Sequence, residues 1–218
     1  MIGSEWKTLV EAMRGAEYRF GLVTQESPVQ RVEFARGLTD AEIEGVERRF
    51  GFRFPPDLRA FLQTALPCGP LFPDWRGGDA EELRLWLDVP ADGVLFDVEH
   101  NEFWLDTWGP RPSALPDAIA LARDLVRAAP RLIPVYGHRM MPDEPHAPGN
   151  PVFSVHQTDI ILYGADLEGY LRVEFDLPER QLPPTELRQI RFWDPDLFQS
   201  TRWCEGPITF DNSRGLLP

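Results

Sequence analysis

LTDAEIEGVERRFGFRFPPDLRAFLQTALPCG, residues 38–69, carries the strongest local signals in the chain. Thr39 and Glu42 stand three apart, the capping-box spacing in which each side chain closes on the other's backbone N–H, and Leu38 and Ile43 flank them as a hydrophobic staple. Ile43, Val46 and Phe50 then follow at helical spacing, and Gly51 is placed to end the helix in a left-handed turn. Pro55 and Pro56 lack the N–H that a helix interior needs, so they fit only the first turn of a second helix, with Leu58, Phe61 and Leu62 as its apolar face. That helix ends before Pro67 and Gly69. The stretch predicts a compact helical pair.

Outward from this pair, Trp6, Leu9, Val10 and Met13 mark an upstream amphipathic helix, and residues 18–36 read as strand-like or irregular. Downstream, Asp79 and Glu82 repeat the cap-plus-acid pattern ahead of Leu83, Trp86 and Leu87, and Pro90 is expected to end that helix. Strands are expected at 94–96 and 103–104, and a turn at 108–110. Residues 116–129 predict a helix with Ala118, Leu121, Ala122, Leu125 and Ala129 on its face and Ser113 as its cap. Short β-runs follow at 132–136, 152–155, 160–163 and 171–175, the last with alternating Leu171, Val173 and Phe175. A long Pro-containing loop is expected at 137–151. The reading is α+β, one domain, with helices packed against a mixed, largely antiparallel sheet. Its parts are an N-terminal helix and strand-like extension over 1–37, the main domain over 38–198, and a tail over 199–218.

Of the 218 residues 43% are hydrophobic and 26% charged, with 7 Trp and 14 Phe, enough apolar surface for a folded core. Lys7 is the only lysine. That excludes a P-loop, a protein kinase and a Schiff-base enzyme, each of which needs a lysine in a defined place. G-x-S-x-G, H-E-x-x-H, G-x-G-x-x-G and C-x-x-C are all missing from the sequence, so no catalytic residue, cofactor or enzymatic activity is expected. The first twenty residues hold no signal-peptide core and no run approaches 18 apolar residues, which predicts a cytoplasmic location and no membrane partner.

The net charge is −13, from 35 acids against 22 Lys+Arg, which argues against nucleic-acid binding and for a basic partner. The excess is local. Residues 79–106 hold nine acids and one arginine, whereas residues 1–78 are nearly balanced. The candidate partner-binding residues are therefore Asp79, Glu81, Glu82, Asp88, Asp92, Glu99, Glu102 and Asp106. Trp75, in the loop just before them, is the candidate aromatic anchor; a solvated acidic face and a core tryptophan are the plain alternatives.

Polar residues set in apolar strand sequence form a second group, with Asp97, Asn101, His138, Arg139 and Asp159 as a candidate pocket. Arg139 is placed to pair with a carboxylate, either Asp97 or Asp159 within the fold or one on a ligand. The competing reading makes these groups, with His100 and Asn150, satisfied buried polar residues that fix loop ends. His138, His146 and His156, with Asp143 and Glu144, lack the close ligand pairs of a zinc site, so no metal is expected. The carboxylate pairs Glu81/Glu82 and Asp97/Glu99 match a glycosidase dyad only by residue type.

The segments LTDAEI (38–43), FPPDLRAFL (54–62), Gly69, FDVE (96–99), Trp108-Gly109, LIP (132–134), NPVFSV (150–155), QTDII (157–161) and Phe192-Trp193 together resemble the SUKH superfamily, which includes the Smi/Knr cell-wall regulators of yeasts, and look most like a bacterial branch of it. The resemblance spans about 38–195 and implies an α+β domain without catalytic residues. In bacteria it implies an immunity protein that neutralises a polymorphic toxin, here a basic toxin domain; the yeast relatives imply a binding or regulatory scaffold. A small-ligand-binding domain using the Arg139 region is the alternative.

Overall fold

A computed structural model describes residues 2–19, 29–178, 187–194, 196 and 198. The expected tail, 199–218, lies outside them. In chain order the elements are α1 (Ile2–Met13), β1 (Glu17–Arg19), β2 (Val29–Arg31), β3 (Glu33–Arg36), α2 (Asp40–Phe50), α3 (Pro56–Thr64), β4 (Ala65–Cys68), α4 (Ala80–His100), a 3-10 turn at Asp106–Trp108, α5 (Leu115–Arg127), β5 (Leu132–Tyr136), β6 (Arg139–Pro142), β7 (Val152–His156), β8 (Asp159–Gly164) and α6 (Leu167–Glu174). Every described strand pair is antiparallel: β1 with β2, β3 with β4, and the meander β5-β6-β7-β8. The fold is α+β.

The helical pair forms as its sequence dictates. The Glu42 N–H donates to Thr39 Oγ1 at 3.2 Å, the Thr39 N–H donates to Glu42 Oε2 at 2.7 Å, and Gly51 closes α2 at φ 72°. Arg76 and Arg36 also reach the Glu42 carboxylate, at 2.7 and 3.1 Å. These partners, the Arg76 bond foremost, hold its carboxyl well below the usual range. Pro56 opens α3, whose Leu58, Phe61 and Leu62 are buried. α3 runs straight into β4, and β3 returns beside it past Gly37, where a Cβ would lie only 2.0 Å from the Gln63 carbonyl oxygen. Leu9, Val10 and Met13 of α1 join the same core.

The four-stranded sheet is a middle layer. Met140, Phe153, Val155 and Ile160 face Val94, Val98, Ala118 and Ala122 of α4 and α5. Ile133, Met141 and Val152 face Leu167, Tyr170 and Leu171 of α6 and the helical pair. Burial on both faces explains why β5 and β7 read as continuous apolar runs rather than alternating ones.

Several local expectations are corrected. α4 does not end at Pro90 but continues to His100, so 94–96 is helical, and 103–104 forms no strand. A proline inside a helix costs about 3 kcal/mol, but Leu83, Trp86, Leu87, Pro90, Val94, Asp97 and Val98 continue one buried face across it. Each fully buried Val or Leu returns ~1.5–3 kcal/mol. Residues 171–175 lie largely in α6: Leu167, Tyr170 and Leu171 are buried at helical spacing while Val173 is 72% exposed. β6 forms inside the expected loop. Ala114 rather than Ser113 occupies the N-cap position of α5, without a side-chain cap, and the helix buries Ala118, Ala122 and Val126 while Leu121 stays exposed. No described helix is long and apolar enough to cross a membrane.

Candidate functional site

Because α4 is one helix, its acids fall into line. Glu81, Asp88, Asp92 and Glu99 are spaced 7, 4 and 7 residues apart, so the first and last are separated by about five turns and ~27 Å of axis on the same face. That face is opposite the buried one, and all four residues are exposed. Leu85, 38% exposed, and the half-buried Leu95 and Phe96 are interleaved with them. Two arginines and a histidine border the stripe: Arg84 pairs with Glu81, Arg131 lies 3.6 Å from Asp88, and His100 3.8 Å from Glu99. Partial burial raises the Asp88 carboxyl, against the pull of Arg131 and with a further push from Asp92.

The other candidates of that acidic segment have different places. Asp79 is the N-cap of α4 and accepts from the Glu81 and Glu82 N–H groups at 2.8 and 3.1 Å, which lowers its carboxyl. Glu82 is exposed about a quarter-turn from the stripe. Glu102 follows the helix in a left-handed conformation (φ 54°), and Asp106 opens the 3-10 turn; both are exposed. Trp75 is not an exposed anchor. It is 4% exposed and packs edge-on against Phe54, Phe52 and Phe50 at 5.2, 5.9 and 6.5 Å, in the core of the helical pair.

The expected pocket of Asp97, Asn101, His138, Arg139 and Asp159 does not assemble. Asp97 and Asn101 lie on the α4 side of the sheet, where buried Asp97 accepts from the Thr158 N–H at 3.0 Å, Thr158 Oγ1 at 2.6 Å and Asn101 Nδ2 at 2.6 Å. This clamps α4 to the β7–β8 turn. Arg139 precedes Met140 on β6, and because strand residues alternate, Met140 faces α4 while Arg139 faces α6. Asp159 is exposed at the start of β8, in register with His156.

Arg139 has its own partners. Its Nη1 donates to Ser154 Oγ at 2.9 Å and touches His138 Nε2, its Nε lies 3.7 Å from Glu174 Oε2, and its guanidinium sits 3.8 Å over the Tyr163 ring. Burial foremost, then the neighbouring Arg139 and His156 charges, pushes His138 down to about 4. Burial raises Glu174 despite Arg139. Arg139 Nε is buried without an aligned hydrogen-bond partner, and the buried Tyr170 hydroxyl lies against the Glu174 carboxyl, which is lowered by that contact but raised on balance by burial. Reading 171–175 as a strand hid Tyr170 and Glu174 from this cluster; the helical spacing of Leu167, Tyr170, Leu171 and Glu174 was the available signal.

The 143–150 loop is tied down by buried Asn150, whose Nδ2 donates to the Pro142 and Pro145 carbonyls at 2.9 and 3.0 Å. Between this loop and the end of α2 runs an open cleft of about 620 Å³, lined among others by Glu44, Glu47, Arg53, Asp143, Glu144 and His146. Asp143 accepts from the Arg131 N–H at 2.8 Å, and burial raises its carboxyl. Among the described residues no group of three or more His, Cys, Asp or Glu could hold a metal ion. No protein family, curated protein or solved structure matches the chain.

Proposed function

We propose that this chain is a non-enzymatic binding protein of the SUKH type, working in the cytoplasm as an immunity protein that docks the outward face of α4 on a basic, nuclease-like toxin domain and blocks it by occlusion. The observation that carries this reading is the alignment of Glu81, Asp88, Asp92 and Glu99 on one exposed face of a single helix. A one-sign field of that extent speeds encounter with a cationic surface and disfavours anionic partners. Leu85, Leu95 and Phe96, interleaved with the acids, supply the apolar contact that sets how long the complex lasts. The test is capture of the product of the adjacent reading frame by the purified chain at low and high salt, followed by association kinetics. A basic partner whose association slows as salt rises, and slows again by tenfold or more in Asp88→Arg/Asp92→Arg, supports the reading. Salt-independent association, or no effect of the double reversal, would refute it.

A second reading rests on Arg139 Nε, a buried donor without an aligned acceptor. A scaffold of Smi/Knr type would use it to hold a small carboxylate against Tyr163. It predicts a rise in melting temperature with such a ligand that Arg139→Lys, which loses the planar fork, removes.

A further inference from the structure

Six residues on the outward face of α4 form a pattern that reads the same in both directions. Glu81, Leu85, Asp88, Asp92, Leu95 and Glu99 follow one another at intervals of four, three, four, three and four residues. Acid, leucine, acid is thus mirrored about position 90. At ~100° per residue the six fall in a stripe ~80° wide, directly opposite buried Pro90. The Glu81, Asp88 and Glu99 side chains are 79, 54 and 49% exposed, and Leu85 is 38% exposed. Asp92, which also interacts within the chain, is exposed, and Leu95 is half-buried.

Intervals of three and four are the seam of one helix packed on another. A merely solvated acidic face needs no leucine on its outermost line. Here Leu85 and Leu95 each stand between two acids, so a cationic partner that neutralises the acids also covers the leucines. The rise of the stripe selects the partner's shape. Its five steps climb ~27 Å, on average ~5.4 Å each, and a second helix with the same rise matches all five. An extended strand repeats on one face every ~6.7 Å, so five steps span ~33 Å and end a full side chain out of step. Arg84 holds Glu81 only in an exposed pair, which contributes little, so an incoming cation replaces it at small cost.

We infer that the partner meets α4 with a basic amphipathic helix that lies along it, carrying Arg or Lys and apolar residues at the same spacing, cations over the acids and apolar side chains against Leu85 and Leu95. This rests on the docking face proposed above and names what that face recognises. Because the stripe mirrors itself, one such pattern fits with the partner helix running in either direction. A compact basic surface or a flexible basic tail engages the acids but has no means of matching their spacing together with the leucines.

The experiment is fluorescence anisotropy of labelled synthetic peptides of ~20 residues titrated with the full chain. One peptide carries four arginines and two leucines at the spacing of the α4 stripe, in a Ser/Gln background that is little helical on its own. The other has the same composition with those six residues spread around the helix. The patterned peptide is expected to bind at least tenfold more tightly and to gain helical circular dichroism on binding. Leu85→Gln, at unchanged melting temperature, is expected to remove most of that preference, and Asp88→Arg/Asp92→Arg the binding itself. Equal binding of the two peptides, binding without added helix, or a preference that survives Leu85→Gln would overturn the inference. If a toxin is still captured through α4 in a salt-dependent way while the two peptides bind alike, the docking face stands and only the helical partner falls.

Discussion

Gly93→Ala tests the placement of α4 more sharply than any other single change. In an exposed helix interior this substitution stabilises by about 1 kcal/mol, because alanine loses less backbone entropy on folding. At Gly93 a Cβ would stand 2.7 Å from Gln157 Cα and 3.3 Å from Gln157 N. Those are backbone atoms of the β7–β8 turn, which Asp97 holds through Thr158, so no side-chain rotation relieves the overlap. Overpacking of this kind costs about 1–3 kcal/mol, which cancels or outweighs the helix gain of about 1 kcal/mol and leaves a net loss of up to roughly 2 kcal/mol. For a domain of this size that lowers the melting temperature by up to roughly 8 °C. Gly45→Ala is the internal control: Gly45 lies within α2 with nothing inside 4 Å of its Cβ position, so it should gain up to about 1 kcal/mol, roughly 2–4 °C. Urea and thermal unfolding of the two variants beside the parent chain give the comparison. If Gly93→Ala stabilised as much as Gly45→Ala, α4 would not be lying against the hairpin turn, and the single long helix with its acidic face would fall with it.

Asp97→Ala strips the buried Thr158 N–H and hydroxyl of their acceptor and is expected to cost about 2–4 kcal/mol in urea unfolding; a loss under 0.5 kcal/mol would mean water substitutes freely for the carboxylate. Thr39→Ala removes the cap of α2 and should cost about 1 kcal/mol, read as a shift of the urea midpoint without a change in slope. His138, held down to about 4 by burial, stays neutral in the folded chain while the unfolded chain takes up a proton near 6.5. The unfolded state therefore binds more protons between those values, and stability is present above pH 6.5 and lost as pH falls toward 4. His138→Gln should flatten that slope in melts across the range, and an unchanged slope would assign it to other groups.

The helical pair was legible because its signals are local. The Thr39–Glu42 box, Gly51 and Pro55-Pro56 act within a few residues of themselves, and no distant contact competes with them. β5, β7 and β8 were legible for a similar reason, since short apolar runs between turn residues have few other places to go. The acidic content of 79–106 was equally plain, but its shape was not. Pro90 reads as a stop in any local window, and only the buried face from Leu83 to Val98, packed against α5 and the sheet, makes the helix worth continuing across it. That continuation turns scattered acids into a stripe. The Arg139 cluster escaped for a related reason: Leu171, Val173 and Phe175 alternate like a strand, and only docking on the sheet selects the helical phase that brings Tyr170 and Glu174 to the arginine. Trp75 shows the same limit, since a tryptophan beside charged loop residues looks the same in one dimension whether it points outward or, as here, into Phe50, Phe52 and Phe54. Caps, turns, composition and charge thus follow from the order of residues, because their physics is short-ranged or additive. Which face is buried, and so which residues meet, follows from apolar contacts between segments far apart in the chain.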